Sequence, residues 1–216
     1  MRTLILALLL SLGLAGCNPP QSKARAVYLL LDTSGTYTKE MDKAQSIINY
    51  LLAILGSGDS IAIARIDSGS FTEKDIIVKA TFDVRPSTAN DQKRLFKQRI
   101  DKFVASIKKG SRHTDITGGM LQAGDYLIET GAGEKYVLIF SDLEEDLKKG
   151  HIRDFPIMLP DINVIALNVT KLRSDNIDPR DYMKRLDNWE KRVGEAGGNW
   201  AVINDLERLD RLLASS

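Results

Sequence analysis

Residues 26–36 read Ala-Val-Tyr-Leu-Leu-Leu-Asp-Thr-Ser-Gly-Thr, and this stretch decides the fold. Ala26 to Leu31 is an unbroken apolar run, the pattern of a strand covered on both faces rather than one. It stops at an acid, Asp32, and two hydroxyls follow at alternate positions, Ser34 and Thr36. Asp, Ser and Thr are all good helix N-caps, so a strand end followed by a cap accounts for the stretch when it is taken alone.

Working outward, Met41, Ala44, Ile47, Ile48, Leu51, Leu52 and Leu55 recur at helical spacing, and Gly56-Ser-Gly-Asp59 stops that helix. Residues 60–66 (SIAIARI) and 76–82 (IIVKATF) read as strands joined by a polar segment, which predicts a hairpin and one antiparallel edge strand. Thr88 and Asp91 suggest a capping box for a helix whose apolar stripe is Leu95, Phe96, Ile100, Phe103, Val104 and Ile107, with Gly110 as its stop. A polar loop over 111–119 leads to a short helix over 120–129. The strand 136–140 (YVLIF) again ends in a polar pair, Ser141-Asp142. A strand over 162–169, a helix from Pro179 with Tyr182, Leu186, Trp189 and Val193 on one face, a short strand over 200–203 and a terminal helix over 206–213 complete the chain. This alternation predicts an α/β fold with a doubly wound, mostly parallel central sheet and helices on both faces. Ligands of such sheets bind beyond the carboxyl ends of the strands, where Asp32, the 111–119 loop and Asp142 all fall.

The first 25 residues read differently. Arg2 gives a positive start, residues 4–14 are almost wholly apolar, and Leu-Ala-Gly-Cys17 follows. The run is short for a membrane span and suits a signal peptide. The sequence ending at Cys17 resembles the lipobox of bacterial lipoproteins, which implies cleavage after residue 16, acylation of Cys17, and a tether over 17–25 ahead of a domain over 26–216. Several acyl chains anchor stably where one is marginal. Asn18 after the cysteine resembles an outer-membrane address if the host is Gram-negative. The alternative is a plain secretory signal with a chance cysteine. Cys17 is the only cysteine, so no internal disulfide forms. Without residues 1–16 the chain carries 29 basic and 29 acidic residues, and this balance gives no bulk attraction to nucleic acid.

The three loops share a chemistry. Ser34, Thr36 and Thr114 offer hydroxyls, and Asp32 and Asp142 offer carboxylates. All are oxygen donors, which suits Mg²⁺, with Mn²⁺ or Ca²⁺ as alternatives. With two His and no free thiolate after acylation, zinc and copper are poorly served. Two carboxylates also balance a divalent charge, and the hydroxyls add none.

Asp32-Thr-Ser34-Gly-Thr36 resembles the D-x-S-x-S/T signature of the von Willebrand factor A domain. Thr114-Asp115 resembles that family's threonine loop, and the strand ending at Asp142 its second aspartate. The resemblance covers roughly residues 25–213. It implies a metal-ion-dependent adhesion site in which Ser34, Thr36 and Thr114 bind the cation directly and Asp32 and Asp142 bind it directly or through water. A partner's Glu or Asp, or water, would complete the shell. Leu143 departs from the family, many members of which carry Gly there, and Glu144, Glu145 and Asp146 follow it. That acidic run reads as a solvated loop, and Asp115 and His113 as solvated or supporting groups; Thr117 competes with Thr114 to cap the following helix.

Enzyme readings are weaker. No phosphate loop is present, Ser34 lacks the G-x-S-x-G elbow, and the aspartate-based phosphatases need an acid where this chain has Ser34. The expectation is therefore a membrane-anchored, cation-dependent protein-binding module of the bacterial cell envelope and not an enzyme. The rivals are an accessory lipoprotein that binds without the metal and, ranked lower, a metal-dependent hydrolase.

Overall fold

The computed structural model describes residues 22–35, 40–67, 69, 72–107, 110–150, 153 and 155–214. The signal sequence, Cys17, Thr36, Lys108, Lys109 and His151 lie outside the described residues. The apolar run becomes strand β1 (Arg25–Leu31), buried from Ala26 onward. It pairs in parallel with β2 (Ser60–Arg65) on one side and β4 (Glu134–Phe140) on the other. Beyond β4 lie β5 (Ile162–Leu167) and β6 (Asn199–Ile203), also parallel. At the other edge β3 (Ile76–Thr81) runs antiparallel to β2, giving the order β3-β2-β1-β4-β5-β6. The sheet is the mostly parallel one expected, antiparallel edge included.

Alternate residues of β1 feed two cores. Val27, Leu29 and Leu31 face α1 (Met41–Ile54), α2 (Pro86–Ser106) and α5 (Leu206–Ala214). Ala26, Tyr28 and Leu30 face α3 (Ile116–Glu129) and α4 (Pro179–Glu195). A strand with both faces covered has no polar side to show, which is why its sequence never alternates. Helix α3 lies close on the sheet because Gly119 has no side chain. A Cβ there would come within 2.6 Å of Ile66 and 2.9 Å of Leu30.

Several boundaries differ from the sequence expectation. Helix α2 starts at Pro86, not at a box formed by Thr88 and Asp91; proline at the first helical position sets the required φ and forgoes an amide that would have no partner. Leu95 is 57% exposed and does not belong to the buried stripe. Strand β5 ends at Leu167, where Asn168 turns the chain at φ 52°. Helix α3 starts at Ile116, four residues early, for a reason found at the site. Among the described residues no helix is long and apolar enough to cross a membrane.

Candidate metal centre

The strand order reverses beside β1: the chain passes from β1 to β2 on one side and returns later to β4 on the other. A crevice opens beyond the strand ends at such a switch point. Leu31 pairs with Phe140, and the Asp32 amide donates to the Phe140 carbonyl at 3.0 Å. Asp32 and Asp142 therefore leave adjacent strand ends, and both are buried.

The loop after β1 is fixed locally. The Ser34 amide donates to Asp32 Oδ1 at 2.7 Å. Backbone bonds then tie it to the second loop, with Ser111 N donating to Thr33 O at 2.8 Å and Gly35 N to Ser111 O at 3.3 Å. The two chains approach so closely that a Cβ on Gly110 would lie 2.4 Å from Gly35 Cα. The second loop is tied in turn to the third: Thr114 and Asp146 exchange two backbone bonds of 3.0 Å each. The structure thus brings together Asp32, Ser34, Thr114 and Asp142 from three interlinked loops.

The two carboxylates are held without a bonded cation among the described side chains. Asp32 Oδ2 accepts from Ser141 Oγ at 2.7 Å, and Asp142 Oδ1 accepts from Glu144 N at 3.0 Å. Burial lifts the Asp32 carboxyl above its ordinary value. Burial, reinforced by repulsion from Asp32, lifts Asp142 to about 6 against the pull of the Glu144 amide and Arg185. Arg185 is the nearby guanidinium, and its bonds go elsewhere: Nε donates to the Asp142 carbonyl at 2.9 Å, and the fork binds Asp175 at 2.8 and 3.2 Å. Two desolvated acids beside neutral hydroxyls form a donor set that fits a hard divalent cation. Among the described residues no group of three His, Cys, Asp or Glu side chains could hold a metal, so the hydroxyls are indispensable to such a site.

Helix α4 supports the Asp142 loop from beneath. Arg185 binds the carbonyl of Asp142, Trp189 Nε1 binds that of Leu143 at 3.0 Å, and Arg192 pairs with Glu145 at 3.4 Å. Three successive turns of one helix each bind one part of the loop. Leu143 between them has φ 65° and is 1% exposed.

Of the neighbouring residues, Asp115 is one of the supporting groups, and the solvated reading is corrected for Glu145. Asp115 is buried and caps α3 through Gly118 N at 2.7 Å, which explains the early start of that helix; it also forms a two-pronged ion pair with Arg153. Glu145 is not a solvated residue: it accepts from Thr117 N at 2.6 Å and Thr117 Oγ1 at 2.9 Å at the same helix terminus. His113 Nδ1 lies 3.2 Å from Asp146 Oδ2. Nothing in the sequence marks Asp175, Arg185 or Arg192 as supports of the site, and Ser141 is marked only by its place beside Asp142 at a strand end.

No protein-family model and no curated protein matches the chain. Among solved structures it is similar to an aerotolerance-related membrane protein from Bacteroides fragilis at 12% identity, covering 89% of this chain and 96% of that one, with TM-score 0.46. It is similar to the conserved hypothetical protein BatB from Bacteroides thetaiotaomicron at 10% identity, covering 89% and 96%, with TM-score 0.48. It is also similar to proximal thread matrix protein 1 of the mussel byssus at 13% identity, covering 90% of this chain and 47% of that one, with TM-score 0.47. Likeness at this level carries no residue-by-residue correspondence.

Proposed function

We infer that this chain is a von Willebrand factor A-like domain that binds another protein through a divalent cation, held at a bacterial envelope membrane by acylated Cys17. The observation that carries the reading is the pair Asp32 and Asp142: buried, adjacent, repelling one another, and without a neutralising side chain bonded to either carboxylate. Mg²⁺ is the cation such a pair and its hydroxyls favour. Ser34, Thr114 and Thr36 would supply the hydroxyls. The cation supplies an electrophilic position that a partner carboxylate or water can fill. Ser141 orients Asp32, and the Arg185–Trp189 support holds the Asp142 loop in place before the cation arrives.

Capture of partners from detergent-solubilised envelopes with Mg²⁺ and with EDTA tests this directly. Partners should be retained with Mg²⁺ and lost with EDTA and in Asp32→Ala. Retention under all three conditions transfers binding to a surface that needs no metal.

A further inference from the structure

At the same end of the sheet as Asp32 and Asp142 lies a second feature, a groove of about 430 Å³ lined by Arg65, Lys74, Ile77, Arg99, Lys102 and Phe103. Arg65 is the last residue of β2, paired in register with Leu31, immediately before Asp32. Lys74 and Ile77 flank the start of β3, and the other three residues come from the last turns of α2, which runs on into the loop of Thr114. The groove thus has four basic side chains around an apolar floor of Ile77 and Phe103.

The charge there is cancelled at Arg65 and left open at the other three bases. Arg65 faces Asp67 at 3.3 Å and Asp75 at 3.6 Å. Lys74, Arg99 and Lys102 are exposed, and among the described residues none of the three has an ion-pair partner. The sequence has almost equal numbers of acids and bases, so this excess is a property of one groove and not of the molecule.

We propose that this groove is the second anchor for the partner, receiving further acidic side chains of the same segment whose leading carboxylate meets the site at Asp32 and Asp142. The partner chemistry is an extended acidic peptide. Guanidinium and ammonium groups take the carboxylates, and the methylene stems of Glu pack on Ile77 and Phe103. Neighbouring strands are about 4.8 Å apart, so β3 lies about 10 Å from β1 across the sheet. An extended peptide advances about 3.3 Å per residue, so acids three or four positions apart span the two anchors. A flat anionic membrane is the poorer occupant, because a plane of headgroups cannot enter the groove to reach its floor of Ile77 and Phe103.

The proposal rests on the metal reading for its first anchor and on the groove alone for its second, and the test separates them. Decaglutamate is titrated into the acyl-free domain with Mg²⁺ and with EDTA, for wild type and R99E/K102E. Both substituted residues are exposed helix positions, and the thermal shift produced by Mg²⁺ alone serves as the control for fold and cation site. Binding should weaken by about tenfold or more in R99E/K102E, equivalent to about 1.4 kcal/mol, and should weaken with added salt, while the Mg²⁺ shift stays as in wild type. Binding that falls in R99E/K102E but ignores EDTA keeps the groove and removes the metal bridge. Binding abolished by EDTA but equal in the two proteins overturns the groove and keeps the metal. Failure of wild type to bind decaglutamate also overturns it. Binding instead to mixed phosphatidylcholine and phosphatidylglycerol vesicles, lost in R99E/K102E, would reassign the groove to lipid.

Discussion

Leu143 has a left-handed backbone that costs an L-residue about 1–2 kcal/mol, while its side chain is buried among the residues beneath α3 and α4. Packing outweighs the strain, since removing a buried leucine costs about 2–5 kcal/mol. Two substitutions separate the terms. Leu143→Ala loses the packing and keeps the strain; Leu143→Gly loses the packing and sheds the strain. Glycine ordinarily costs about 0.5–1 kcal/mol more than alanine. Here Leu143→Gly should equal or exceed Leu143→Ala in urea unfolding, and a clearly less stable glycine variant would show that position 143 is relaxed. Asp142 makes a prediction of opposite character. Its folded value of about 6 lies above its ordinary 3.8, so between those limits the folded chain holds the proton more tightly. Its contribution to stability is therefore greatest at low pH and falls as pH rises through about 6, by up to about 3 kcal/mol. In melts without divalent cation, Asp142→Asn should gain on wild type between pH 4 and 7. A constant difference across that range would exclude the mechanism.

At the scale of elements, the loops are positioned by contacts made far along the chain. Arg185 reaches Asp142 across 43 positions, and Ser141 reaches Asp32 across 109. No local pattern announces either bond, so the sequence offered the ligand candidates but not their supports. Asp115 is instructive in another way. It was visible as a polar residue in a loop, yet its capping role follows only once α3 is known to begin at Ile116. Trp189→Phe keeps most of the ring and removes the donor to Leu143 O, and should cost about 1 kcal/mol in chemical unfolding. Arg185→Met should cost more, about 3–5 kcal/mol, because it leaves Asp175 buried without its partner. Equal costs for the two would mean that Asp175 finds solvent when Arg185 is gone. Gly110→Ala places a methyl against Gly35 and Ser34 and should destabilise by about 1–3 kcal/mol. An unchanged unfolding midpoint would show that the two loops separate freely.

For the whole molecule, the unbroken apolar runs made the parallel sheet legible, because strands covered on both faces and separated by helices admit few other arrangements. The site was legible in outline for the same reason: strand ends in such a sheet converge, so Asp32 and Asp142 could be placed together before any coordinate. A cation that binds only the folded chain stabilises it, by about 2.7 kcal/mol at a hundred times its dissociation constant. Mg²⁺ should raise the melting temperature of wild type and leave Asp142→Asn unmoved, although that variant starts out more stable at pH 7. A matching rise in both proteins would place the cation elsewhere.

The sheet's outer borders have a consequence of their own. Strand β3 runs against the direction of all its companions, its register with β2 slips at Ile63 and Ala64, and Lys79 stands exposed on it. At the far side β6 has only five residues and begins with exposed Asn199. A second copy finds no long, regular ladder to extend on either side. Crowded together, these molecules resist zipping into continuous β-structure through their sheet borders.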